Sequence, residues 1–151
     1  MFRHPVHPLL VHFPIVLWTL STVVDGFVFF KIDQWLVINH LWSASCLLLS
    51  LGCAAGLLTI VSGFIDLMNV KEKAQNTANI HMSIMCSTWL VYVFALYSRL
   101  DRQLDKMDII AQPDLITFAL SAAGFVLMLI GGWFGAQLVY THGVGVKIQD
   151  Q

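Results

Sequence analysis

The chain has 151 residues, 58% of them hydrophobic and only 11% charged, with a mean hydropathy of +0.76 and a formal net charge of -1. Charged residues supply about a quarter of an ordinary soluble domain, so this composition excludes a water-soluble globule and describes a membrane protein of one domain. The near-neutral charge, with no basic stripe and no acidic or basic tail, gives no footing for nucleic acid as a partner.

A transmembrane helix needs about 20 apolar residues, and four stretches meet that need, predicting helices over about 9–30, 41–66, 70–99 and 114–141. The first is preceded by HPVHPLLVHFP at residues 4–14, three histidines and three prolines at the mouth of an apolar run. Proline suits the first helical position and pushes the residue before it out of the helical region. His7 is therefore expected just outside a helix starting near Pro8, with His12 roughly 6 Å deeper at 1.5 Å per residue. Pro14 then frees the carbonyl of Leu10 and kinks the entrance. The length of this segment, its His12 and Asp25, and the lack of a small-residue cleavage pattern identify a permanent span rather than a secretory signal. Asp25, toward the far end, is expected to pair with Lys31 or Arg99.

Gly52, Gly56 and Gly63 recur at helical spacing on the second helix, and Gly131, Gly135, Leu138 and His142 on the fourth. Cys46, Cys53 and Cys86 lie inside apolar runs, where a free thiol packs as a small hydrophobe. Asn69 and Glu72 have the spacing of a capping box, which starts the third helix near Val70. Short polar links make consecutive helices antiparallel, so the expected fold is all-α, an up-down-up-down four-helix membrane bundle. No internal repeat is evident between the two halves.

This topology gathers His4, His7, His12, Asp66, His81 and His142 at one membrane face and leaves His40 at the other. Ionisable groups inside spans face the bundle interior and mark cofactors or proton and ion paths, so His12 and His81 lead as a ligand pair. His7 and His142 form a second pair or pocket groups, or cap helix ends. Asp66 either orients an imidazole by accepting its other ring N–H or simply ends its helix. His4 and His40 read as interfacial. The GxxxG spacings permit close helix packing. In an up-down bundle the first and third helices are diagonal partners, so small residues on the second and fourth, among them Gly56 and Gly135, open a slot between His12 and His81. A haem b held by two axial imidazoles needs that combination, with its propionates reaching Arg3, Lys71, Lys73 or Lys147. Met85, one turn from His81, is a weaker ligand candidate.

HPVHPLLVHFPI at the start, GFIDL ahead of His81, and GGWFGAQLVYTHGVGV at the end resemble the bacterial membrane family known as domain of unknown function 2231 (DUF2231), over nearly the whole chain. The resemblance implies a four-helix, multi-pass domain of the bacterial inner (cytoplasmic) membrane. Positions matching the family pattern are His7, Pro8, His12, Pro14, Asp66, His81, Gly132, Gly135, Tyr140, His142 and Gly143, which adds Gly132 and Tyr140 to the cofactor-binding set. The architecture is also similar to di-haem b-type cytochromes, which place haems toward both faces, whereas the far face here offers only His40.

Three readings follow. The first is a b-type cytochrome-like electron carrier, exchanging electrons with quinone or a soluble redox partner; any enzymatic activity would be that of a haem-dependent membrane oxidoreductase. The second is a histidine-based protein that binds or transports zinc, copper or iron, with Asp66 contributing. The third is a structural or assembly subunit in which glycines pack helices and histidines cap them. Glycines beyond those one slot needs suggest a stripe facing a second copy, hence a homodimer. No nucleophile-base pair, phosphate loop or carboxylate dyad points to a hydrolase or transferase. Lys and Arg tie at four per face, Arg3, Lys71, Lys73 and Lys147 against Lys31, Arg99, Arg102 and Lys106, so the positive-inside rule leaves orientation open.

Overall fold

The computed structural model describes residues 6–30, 35–105 and 115–146, and every regular element among them is helical. In chain order these are α1 (Val6–Leu10), α2 (His12–Phe29), α3 (Trp35–Leu67), α4 (Glu72–Asp105) and α5 (Leu115–Tyr140). α1 and α2 make one span interrupted at Val11. Four segments are long and apolar enough to cross a bilayer: Val6–Phe29, His40–Leu67, Glu72–Leu100 and Leu115–Tyr140. The shortest, 24 residues, extends ~36 Å at 1.5 Å per residue, enough for a hydrocarbon core of about 30 Å. The expected four-helix membrane bundle is the fold. α2 packs on α3, α3 on α4, α4 on α5 and α5 back on α2, which makes α2 and α4 one diagonal and α3 and α5 the other.

Two local expectations change. The first helix begins at Val6 rather than near Pro8, because the first helical turn has no use for a proline N–H. His7 thus lies within the helix rather than before it. The capping box does not form. The Asn69 side-chain amide donates to the Ile65 carbonyl at 2.9 Å, closing the end of α3, and α4 begins at Glu72, where the Lys71 carbonyl accepts from Ala74 N–H at 2.9 Å. Asn69 finishes one helix instead of starting the next. Arg3, His4, Lys31, Lys106 and Lys147 lie outside the described residues.

Each helix turns a stripe of small and polar residues inward. On α2 the buried positions are Pro14, Trp18, Ser21, Asp25 and Val28; on α5 they are Thr117, Ser121, Gly124, Met128 and Gly131. Alternating steps of four and three are the 3.5-residue repeat of helices that wind around one another. Leucine, isoleucine and phenylalanine face outward, Leu58, Phe94 and Leu129 being more than half exposed. In lipid this costs nothing, because hydrocarbon chains are as apolar as leucine and small residues let backbones approach.

The inward stripes repeat. His7, Trp18 and Asp25 are spaced eleven and seven residues apart on the first span, as are His81, Tyr92 and Arg99 on α4. Gly52, Thr59 and Gly63 on α3 are spaced seven and four apart, as are Gly124, Gly131 and Gly135 on α5. Contacts match the spacing. Trp18 stacks on Tyr92 with ring centroids 4.7 Å apart. A Cβ at Gly52 would meet the Trp18 ring at 2.6 Å, and one at Gly124 the Tyr92 ring at 2.9 Å. Asp25 forms an ion pair with Arg99, both fully buried, as one of the two expected pairings had it. The two hairpins, α1 to α3 and α4 to α5, are thus copies of one plan around a pseudo-two-fold axis along the bundle, the arrangement of parallel repeats in membrane proteins. The expectation of no repeat is corrected: His7 with His81, Gly52 with Gly124 and Gly63 with Gly135 are identical at matched positions, while Trp18 with Tyr92 and Asp25 with Arg99 are complementary.

Toward the far face the axis carries a polar clamp. The Asp25 carboxylate accepts from the Arg99 guanidinium, from Ser45 Oγ and, at 2.6 Å, from Ser121 Oγ. Arg99 donates to both serine hydroxyls at 3.0 Å, and its guanidinium carbon lies 4.8 Å from the centre of the Trp42 ring. One residue from each of the four spans meets here. Cys46, Cys53 and Cys86 are free, as expected.

Candidate functional site

At the opposite end the axis carries imidazoles. His7 Nδ1 lies 3.0 Å from the Thr59 carbonyl and 3.2 Å from Ser62 Oγ. His81 Nδ1 lies 2.8 Å from the Gly131 carbonyl. A carbonyl can only accept, so each Nδ1 carries the proton and each Nε2 keeps its lone pair. Neither Nε2 has a hydrogen-bond partner among the described residues.

A glycine makes each bond possible. The accepting carbonyl belongs to the residue four before it, Thr59 before Gly63 and Gly131 before Gly135, on the same helical face. A Cβ at Gly63 would lie 3.0 Å from His7 Cε1, and one at Gly135 would lie 3.0 Å from His81 Cε1. Without side chains there, an imidazole reaches a carbonyl already engaged in its own helix. The same device, used once per hairpin, fixes both tautomers and both ring orientations.

His7 and His81 line one cavity of about 270 Å³ between the helices. Its remaining walls are apolar: Pro8, Pro14 and Trp18 on the first span, Gly56 and Ile60 on α3, Met82 and Met85 on α4, and Met128, Gly132 and Gly135 on α5. The methionines are unbranched and adaptable, able to yield volume to an occupant. Among the described residues no three His, Cys, Asp or Glu side chains gather into a metal-binding group.

The expected residues divide accordingly. His81, His7, Gly56, Gly132, Gly135 and Met85 share the cavity. His12 does not: it is exposed, its Nδ1 3.4 Å from the Leu9 carbonyl. Successive residues turn 100° about a helix axis, so five residues separate His12 from His7 by about 140°. His7 lies on the stripe of Pro14 and Trp18, and His12 falls off it. The diagonal pair is therefore His7 and His81, not His12 and His81. Tyr140 is 88% exposed and away from the cavity. His142 bonds through Nε2 to Thr77 Oγ1 at 3.2 Å, with Nδ1 buried and unpartnered. It lines a second hollow at the membrane face with Asp66, Lys71 and Lys73. Asp66 thus does not orient either imidazole of the cavity; the carbonyls of Thr59 and Gly131 do that. His40 is exposed.

Gly52, Gly56, Gly131 and Gly135 are all used within the chain, against Trp18, Trp89, Met85 and His81. This removes the spare stripe on which a second copy was expected to pack. Thr59 and Gly63 were absent from the expected site. Their signal was available in the sequence: Gly63 stands four after Thr59, as Gly135 stands four after Gly131.

The family described as "Predicted membrane protein (DUF2231)" matches the chain over residues 3–148. No curated protein and no solved structure matches it.

Proposed function

Since the chain belongs to the DUF2231 family of predicted membrane proteins, whose description names no chemistry, we propose from the site itself that it binds a b-type haem between His7 and His81 and carries electrons within the membrane. The observation that carries this reading is the pair of pinned tautomers. Metal-ligating histidines almost always donate their other ring N–H to a carbonyl, carboxylate or water, and both imidazoles do so here, each with Nε2 left for a metal.

The donor set then selects the metal. Zinc in protein sites takes four nitrogen, sulfur or oxygen ligands, at least three from the protein in catalytic sites, and the cavity supplies only two imidazoles of that kind. Haem iron brings four equatorial nitrogens with it and asks the protein for axial ligands alone. When bound, it supplies a one-electron couple. The chain's part would be to hold each Nδ1–H on a helix carbonyl, leaving His7 Nε2 and His81 Nε2 as the atoms that would hold the iron, and to surround them with apolar side chains. Trp18, stacked on Tyr92, lines the cavity toward the bundle centre. Exchange with quinone or with a soluble redox partner are both compatible with this reading.

Copper(I) is the second reading, favoured by the thioethers of Met82, Met85 and Met128 beside the two imidazoles, since soft thioether ligands select that ion. Absorption spectra of protein purified in mild detergent from haem-replete cells separate the two. A Soret band that sharpens and shifts on reduction, lost or turned high-spin in both His7→Ala and His81→Ala but kept in His12→Ala, is the expected result. Colourless protein with stoichiometric copper moves the assignment to the second reading. Protein with neither rejects both and leaves helix packing as the role of the glycines.

A further inference from the structure

The pseudo-two-fold plan is broken at one position beside the cavity. Gly132 follows Gly131 on α5 as Ile60 follows Thr59 on α3, and both line the cavity. Ile60 is half-buried and helps fill the wall between α3 and α4. Gly132 is exposed, and a Cβ built on it would meet nothing within 4 Å. Two further lining residues on these helices are exposed: Ile15 across the gap on α2 at 39% and Val139 on α5 at 42%. Of the two equivalent gaps, one is filled by Ile60 and the other is open at Gly132.

We infer that the occupant enters and leaves sideways, from the hydrocarbon of the bilayer, through the gap between α2 and α5 at Gly132. This rests on the haem reading for the identity of the occupant. An amphiphilic macrocycle partitions into a bilayer, and a gap lined by glycine and aliphatic side chains admits its flat apolar ring without exposing it to water. The opening is one-sided because the asymmetry between Gly132 and Ile60 leaves one of two equivalent gaps filled.

The asymmetry supplies the experiment. Full-length protein prepared without haem is reconstituted in phosphatidylcholine vesicles and mixed with haemin, and the rise of the low-spin Soret band is followed. Gly132→Ile gives the open gap the side chain of its counterpart and is expected to slow uptake about tenfold. Because the position is open, the change overpacks nothing; a graded series through Gly132→Ala and Gly132→Val guards against an unfolded variant, and helical circular dichroism checks each. Leu129→Ile, facing lipid on the same helix, is expected to load at the wild-type rate. Adding Ile60→Gly to Gly132→Ile opens the other gap and is expected to restore uptake. Equal rates in wild type and Gly132→Ile overturn the lateral opening while leaving the haem reading intact. A wild type that takes up no haemin overturns the haem reading and the opening together.

Discussion

Asp25 and Arg99 are each fully shielded, and the carboxylate oxygens are satisfied by three donors. Such a pair adds little net stability over well-packed apolar residues, because desolvation cancels the attraction, yet removing one partner strands the other. Asp25→Asn is expected to destabilise the protein by about 3–5 kcal/mol, read as thermal or denaturant unfolding in detergent. Pairing it with Arg99→Gln should recover much of the loss; a double variant as unstable as the single one would show that the charges do not act as a pair. Asp25 was legible as the partner of Lys31 or Arg99, and the choice between them follows from helical phase. Arg99 continues the stripe of His81 and Tyr92 and meets Asp25 across the axis. The same phase rule separates His7 from His12. Proline spacing was read there as a boundary, when the continuous run of stripe positions from His7 through Pro14 to Trp18 already placed His7 inside the helix and facing inward.

The two hairpins share a spacing that keeps His7 with His81, Gly52 with Gly124 and Gly63 with Gly135, while residues that meet each other across the axis are complementary, Trp18 with Tyr92 and Asp25 with Arg99. Two charges of one sign would repel where an Asp and an Arg bind. Helix number, order and diagonal pairing were readable from hydropathy and loop length, and the repeat from the spacing of its histidines and glycines, while the contacts showed which positions meet. Glycines divide by the same geometry. Gly124→Ala places a methyl 2.9 Å from the Tyr92 ring, a rigid group held by stacking on Trp18, and is expected to cost about 1–3 kcal/mol as overpacking. Gly132→Ala, with open space around it, is expected to stay within ~0.5 kcal/mol of wild type, as at other exposed positions. Unfolding of the two variants in one detergent checks the difference, and equal losses would mean that the Gly124 contact relaxes freely. Gly131 is intermediate, because what it meets is the flexible end of Met85.

The positive-inside rule counts Lys and Arg rather than net charge, so the buried pairing of Arg99 with Asp25 leaves the four-against-four tie of basic residues standing, and a reporter active on one side only, inserted at the turn between Leu67 and Glu72, reads the orientation directly. Mass measurement in nanodiscs addresses self-association, for which no free glycine stripe remains among Gly52, Gly56, Gly131 and Gly135. The clamp also has a consequence for how the protein is made. Asp25 enters the membrane on the first hairpin, before the ribosome has produced Arg99, and at about 5–20 residues per second it waits several seconds for its partner. Its place four residues from the end of the first span lets it wait at the hydrated interface rather than in hydrocarbon, and Arg99, one residue from the end of the third, arrives at the same depth. Each hairpin can thus insert independently and dock afterwards. Two genes divided at the turn between Leu67 and Glu72 should yield halves that accumulate together as a stable complex, while either half expressed singly, with an unmatched charge at its surface, is cleared by membrane quality-control proteases.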